Sequence, residues 1–416
     1  MDLQSVYNSN KKTIIGSDLE YIKNFQKKLI HNYVLDKKVL NHNESTKHID
    51  KKIIKSINYF IKDSKPKIQI QKNNKLLTSS IIVKNGNDYL LHNIDDENII
   101  FDSLYNKKDL MIEKINKYKD TFVDDYVVNL NSIFFNSSFD LYLRENSNSK
   151  IDLLHLIDAK KSTIYAKNFF KINKNTKLLL IERFENHLES NSNIVNYFEV
   201  EAGSEVMHLI IQNNSVNADL QFSSHINCHA SSTFKQFTFN VSQASIRNHH
   251  YANLIGQNGK VDLQGIFFAA KNQIVDNKTL INHLSPDCTS NQTYKAILTD
   301  NAKASYLSKT FVDRKAQKTE GYQLSKGILL SRDSYFHSKP ELKIYANDVK
   351  CSHGSTIGPF DDDMLFYLRT RGLDLNQAKS FLIKSFCMSL LDNIEEKTYK
   401  IEAIKLADKW LKKNSF

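Results

Sequence analysis

The apolar positions of this chain change their period twice. Leu19, Ile22, Phe25 and Leu29 recur at steps of three and four, and Ser17 and Glu20 have the spacing of a capping box, so the first region reads as helical. A second helical face is predicted from Ile49, Ile53, Ile54, Ile57, Phe60 and Ile61, ended by Pro66. A mixed stretch from Lys67 to about Val123 follows, with a hairpin turn predicted at Asn85-Gly86-Asn87. From about Val127 to His353, short runs rich in Ile, Val, Phe, Tyr and Thr predict strands. Helical signals then return. Pro359 precedes an acidic first turn, Asp361-Asp362-Asp363, and Gly372 behind Arg369 and Arg371 marks the stop. Asp374 caps a second helix with Ala378, Phe381, Leu382, Phe386 and Leu390 along one side. A third helix is predicted from about Glu395 to Lys413 and contains Trp410, the only tryptophan. These changes divide the chain into a helical and mixed region (1–125), a strand core (126–357) and a C-terminal helical domain (358–416).

Within the strand core, small or polar breaks fall at Asn175, Ala202-Gly203, Ala230-Ser231, Asn258-Gly259 and Asn301-Ala302. The first steps are 27, 28 and 28 residues and the last is 43, read as one rung plus an insertion. A near-constant step in a strand-rich segment predicts a solenoid, here a mainly β fold with a parallel β-helix core flanked by N- and C-terminal helical domains. Such a core has two open ends, and the flanking helices are expected to cover them.

Charge alters this picture less than its total suggests. The 416 residues carry 57 Lys plus Arg against 46 Asp plus Glu, a formal net charge of +11. Met1 to Lys75 alone holds 16 lysines, no arginine and 7 acids, which accounts for +9 of it. Lysine without arginine lacks the planar fork that reads base edges, and no aromatic stacking motif accompanies it, so no nucleic-acid partner is expected. No apolar run approaches the roughly 18 residues of a membrane span, and no signal-like apolar block follows Met1. No membrane association and a cytoplasmic location are therefore expected. Four scattered cysteines without a CxxC exclude a disulfide framework and a zinc ribbon.

Most candidate chemistry is weak. His225, Cys228 and His229 lie close in sequence and His249-His250 follow, but strand neighbours point to opposite faces, so Cys228 and His229 cannot share a metal without a bulge. His283 and Cys288 lack an orienting carboxylate for a nucleophile pair. No P-loop or Rossmann fingerprint is present, and the acids of the strand region show no stacking suited to sugar cleavage. Cys351 and His353 differ. Two residues apart on a strand, they share a face, and a thiolate with an imidazole suits zinc or iron in sulfide clusters. Two ligands do not close a site, so the remainder would come from another chain. The alternative is that both pack beneath the C-terminal helices.

The stretch Lys339-Pro340-Glu341-Leu342-Lys343-Ile344-Tyr345-Ala346-Asn347-Asp348-Val349-Lys350-Cys351-Ser352-His353-Gly354, continuing to Gly358, resembles the signature of the SufB/SufD family of iron–sulfur cluster assembly proteins. Leu365 to Gly372 is also family-like, and His283, Pro286, Gln292, Tyr294, Lys295, Ala316 to Thr319, Gln323 and Leu329 to Ser331 fall in the family's order. Cys351-Ser352-His353-Gly354 is similar to the SufD branch rather than the SufB branch. The resemblance implies a right-handed parallel β-helix and a non-enzymatic scaffold in complex with SufB and the ATPase SufC. It implies a transient metal or cluster role at the SufB junction for His353, with Cys351 second, and no stably bound cofactor. It implies SufC docking on the C-terminal helices, through Asp361, Leu365, Phe366, Tyr367, Arg369, Arg371 and Gly372. A homodimer of the isolated chain stays open, as do two rivals: a SufB-like primary scaffold and a β-helix carbohydrate-active enzyme.

Overall fold

The structure is a computed structural model that describes residues 3–40, 66–71, 79–94, 97–118 and 125–416, with side chains omitted for 32–40. The amphipathic stretch read at Ile49 to Ile61 lies outside the described residues. The chain is mainly β, 47% strand, and forms a parallel β-solenoid of about 8 turns with helices at both termini. Strands β5 (Phe139–Leu143) to β20 (Val349–Gly358) alternate between two sheets, so each rung supplies one strand to each. In-register partners lie about one rung apart. Leu220, for example, sits between Ser192 and Ile246.

The rung length is written in the corners. Asn146, Asn175, Gly203, Ser231, Asn258, Asp287 and Lys318 all adopt positive φ, between 54° and 71°, at successive steps of 27 to 31 residues. Asn, Asp and Gly tolerate this left-handed region best, which explains why small and polar breaks marked the period. Asn301 belongs elsewhere. Its neighbour Asp300 stacks with Asn217 and Lys271 at the opposite corner, so the 43-residue step spans one and a half rungs and no insertion exists.

Alternate side chains fill the lumen. Phe170 and Phe198 stack there with centroids 4.5 Å apart, and each buried aromatic of this size contributes roughly 1.5–3 kcal/mol. At the N-terminal end the antiparallel hairpin of β2 (Ser79–Lys84) and β3 (Asp88–His92), turning at Asn85 and Gly86 with positive φ, brings Ile81, Val83, Tyr89 and Leu91 over the lumen. All four are buried.

The described terminal helices pack on the flanks and do not cover the ends. Helices α1 (Leu3–Asn10), α2 (Glu20–Leu40), α3 (Lys108–Tyr118) and α4 (Tyr126–Phe134) pack with Tyr165, Phe169, Val195 and Tyr197 on the outer flank of one sheet. The run 126–134 read as strand because its β-branched and aromatic residues favour strands. It is a helix buried nearly all round, started by Asp125, whose carboxylate accepts from the amides of Val127 and Val128. Ser17 forms no capping box, since its hydroxyl donates to the Lys11 carbonyl. Buried Arg247 and His249 and half-buried Tyr251 also converge on Asp125, with Arg247 at 2.7 Å. Burial alone would raise the Asp125 carboxyl, but the Arg247 guanidinium leads the partners that hold it well below the usual range.

At the other end α5 (Asp362–Thr370), α6 (Leu375–Leu391) and α7 (Lys397–Lys413) follow the strands. Asp374 caps α6 as read, in a capping box with Gln377, while Asp361, read within the first turn, is itself the cap of α5. Ile383, Cys387, Leu390, Tyr399 and Trp410 pack on Leu209, Phe237, Phe239 and Phe268, the outer flank of the other sheet. The Tyr399 hydroxyl donates to the Ile210 carbonyl at 2.9 Å and Lys295 Nζ to the Phe386 carbonyl at 2.6 Å. The packing face of α6 is thus Ala378, Ile383, Cys387, Leu390 and Leu391, while Phe381, expected on that side, is exposed.

Candidate metal and partner site at the last rung

Because the C-terminal helices lie on the flank, the last rung is bare among the described residues. β19 (Tyr335–Ile344) ends one sheet and β20 ends the other, so each presents an edge without a strand beyond it. Cys351 and His353 fall on β20 beside Gly321 and Gln323 of β18 (Thr319–Leu329). Gly321 and Gln323 are lumen-facing, so Cys351 and His353 share the lumen face, as their spacing required. A Cβ on Gly321 would sit 3.4 Å from Cys351 Sγ, in ordinary contact with the thiol. Cys351 is half-buried against Val312, Ala316 and Ala346, and burial raises its pKa above the ordinary thiol value. As a ligand it would therefore release a proton on binding. His353 is exposed. Neither residue packs beneath the C-terminal helices.

The lumen behind His353 is polar, which the sequence reading missed. One ladder of in-register positions runs His208, Gln236, Leu263, Gln292, Gln323, His353. Gln323 Nε2 donates to Thr310 Oγ1 at 2.8 Å and to the Glu341 carbonyl at 3.1 Å, and Gln292 Nε2 donates to the same Thr310 at 2.9 Å. Deeper, Glu182 lies between His155 and His208, each at 2.8 Å. Burial would raise its carboxyl, and the two histidine hydrogen bonds outweigh that and hold it down to about 2. The signal was present in Gln292 and Gln323, one rung apart, but spacing alone does not tell lumen from solvent.

The other cysteine and histidine candidates separate as expected. His283 Nε2 meets Ser290 Oγ at 2.8 Å, while Cys288 Sγ donates to the Gly256 and Pro286 carbonyls. Cys228 is buried in the lumen and His229 turns outward to Glu199 at 2.7 Å. Glu199, Glu201 and His229 bring ligand atoms within 4.8 Å of one another, a grouping the sequence reading did not single out. Lys117 at 3.0 Å, Tyr118 at 2.9 Å and Asn227 already engage Glu199, and Lys171 engages Glu201.

Beyond the rung, α5 buries none of its residues. Phe366 is 70% exposed, and Met364, Tyr367, Leu375 and Phe381 are exposed with it, an apolar set that soluble surfaces seldom present together. Of the residues read as partner-binding, Phe366, Tyr367, Arg369, Arg371 and Gly372 are exposed and Leu365 is half-buried. Asp361 caps the helix, and Gly372 at φ 96° turns the chain out of it.

The fold is that of a parallel β-solenoid whose last described rung carries a thiol and an imidazole on its lumen face. Residues 155–386 match the family model described as SUF system FeS cluster assembly, SufBD core domain. The chain is 31% identical over 167 residues to the iron–sulfur cluster assembly protein SufD of Escherichia coli, covering 40% of each chain. It is 37% identical over 135 residues to a SufBD family iron–sulfur cluster assembly protein of Synechocystis, covering 32% of this chain and 30% of that one. It is 26% identical over 217 residues to SufD of Plasmodium falciparum, covering 51% of this chain and 14% of that one. These alignments span 40% or less of the relatives' own lengths. The chain belongs to the SufBD family of iron–sulfur cluster assembly proteins and is SufD-like. Among the described residues, no helix is long and apolar enough to cross a membrane.

Proposed function

We propose that the chain is a cytoplasmic, non-catalytic scaffold subunit that joins SufB through its last rung and receives the ATPase SufC on its C-terminal helices. The observation that carries this reading is the last described rung: two strand edges and a lumen mouth holding Cys351 and His353, whereas Ile81, Val83, Tyr89 and Leu91 fill the lumen at the other end. A second solenoid laid edge to edge against β19 and β20 would satisfy those backbone groups and bring its own ligands to face His353. Iron or a nascent cluster is then cargo, held transiently between chains. His353 supplies a nitrogen ligand, and Cys351 follows once its thiol loses a proton. The exposed side chains of α5 and α6 supply the apolar contact for SufC, with Arg369 and Arg371 at its rim.

His353→Ala should abolish cluster assembly by the reconstituted SufB–SufC complex, and unchanged assembly would remove the site assignment. Truncation after Gly358 should abolish copurification of SufC, and retained binding would contradict the docking assignment. The isolated chain, reconstituted anaerobically with iron and sulfide, should develop little or no stable chromophore. A strong one would instead make it a SufB-like primary scaffold.

A further inference from the structure

We propose a second binding site, distant from the last rung and independent of it, for a small organic anion with a flat ring, the size of a nucleoside monophosphate. A cavity of about 350 Å³ lies between α7 and the solenoid corner that carries Asn217 and Lys271. That volume falls in the range of small-molecule sites. Its walls are apolar where Trp410, Leu406, Val241 and Ala270 meet, and three lysines, Lys271, Lys409 and Lys413, stand around them. No carboxylate lines it.

The lysines around the cleft lack the acidic partners that two others on the C-terminal helices have. Lys384 pairs with Asp408 at 2.8 Å and Lys400 pairs with Asp392. Lys271, Lys409 and Lys413 form no ion pair among the described residues, and Lys413 Nζ meets only the neutral Gln243 Oε1, at 2.6 Å. Three like charges around one apolar cleft repel each other, and an anion seated there relieves the repulsion. Side-chain amides of Asn217, Gln243 and Asn272 offer donors and acceptors to the edges of a ring or sugar. The chain lacks the glycine loops that cradle phosphate with backbone amides, and lysine side chains take that role in this cavity. One edge of the site is the only tryptophan, whose ring is held by Phe268 at a centroid distance of 5.0 Å.

The single tryptophan makes the test direct. AMP titrated into the full chain should change Trp410 emission saturably with a dissociation constant below about 1 mM. Adenosine should bind at least about tenfold more weakly and inorganic phosphate should compete, because charge contributes the larger share. Lys409→Glu with Lys413→Glu should weaken AMP by about tenfold or more at an unchanged unfolding midpoint. Val216→Glu, at an exposed rim position, gives a second reading that leaves the helix untouched and should weaken AMP as well. Absence of both saturable emission change and binding heat with AMP overturns the proposal. So does adenosine binding as tightly as AMP, or an affinity indifferent to all three substitutions.

Discussion

The two ends of the solenoid are built to different rules. At the N-terminal end a hairpin continues one sheet and plugs the lumen with Ile81, Val83, Tyr89 and Leu91, which are at most 3% exposed. At the C-terminal end the corresponding lumen-facing positions are Cys351, His353, Ser355 and Ile357, of which Ile357 alone is a large apolar residue and is 36% exposed. The helices that could have capped this rung are spent on the flank. An edge left bare with polar, ligand-type side chains is either an aggregation hazard or a joint. A partner that completes the rung resolves it as a joint.

The contrast is sharpest where a buried charge in the closed half is uncovered. Asp125→Ala strands the Arg247 guanidinium, and a loss of about 3–5 kcal/mol is expected, read as a fall in the urea midpoint. A loss below about 1 kcal/mol would show the clamp to be incidental. Next comes pH. Burial pushes His283 down from 6.5 to about 4. Unfolded, it takes up a proton that the folded chain refuses, so its contribution is intact above about pH 6.5 and is lost as pH falls to about 4, on the order of 3 kcal/mol. His283→Gln should flatten the melting profile in that window, and a profile unchanged by the substitution would break the assignment. The open end should behave oppositely. Phe366→Asp is expected to change stability by no more than about 0.5 kcal/mol while ending SufC copurification. Cys351→Ser should cost about 1 kcal/mol or less, measured by the same urea titration, since its site is only half-buried.

Much of this was legible in the sequence. The rung period followed from residues that tolerate positive φ, and the shared face of Cys351 and His353 followed from strand alternation. The stop at Gly372 and the helix start at Asp374 followed from capping chemistry. What escaped has physical causes. Asn301 broke the count because a rung has two corners and both select the same residue types. The run 126–134 passed as strand because a helix buried all round shows no 3.6 period. Phe381 was placed inward because an apolar residue at helical spacing reads the same whether its face meets the core or a partner. The destination of the terminal helices, flank rather than end, depends on Phe237, Phe239 and Phe268 projecting outward, and alternation along a strand does not say which face meets the lumen. The polar lumen needed the register between rungs, which no single segment carries.

The central claim is that the last rung is completed by another chain. Hydrogen exchange along Tyr335–Ile344 and Val349–Gly358, followed for the full chain alone and with SufB added, tests it most directly. Slowed exchange confined to these two strands and the His353 mouth, with the flanks of both sheets unchanged, is the result expected. Unchanged exchange there in a complex that forms would contradict it.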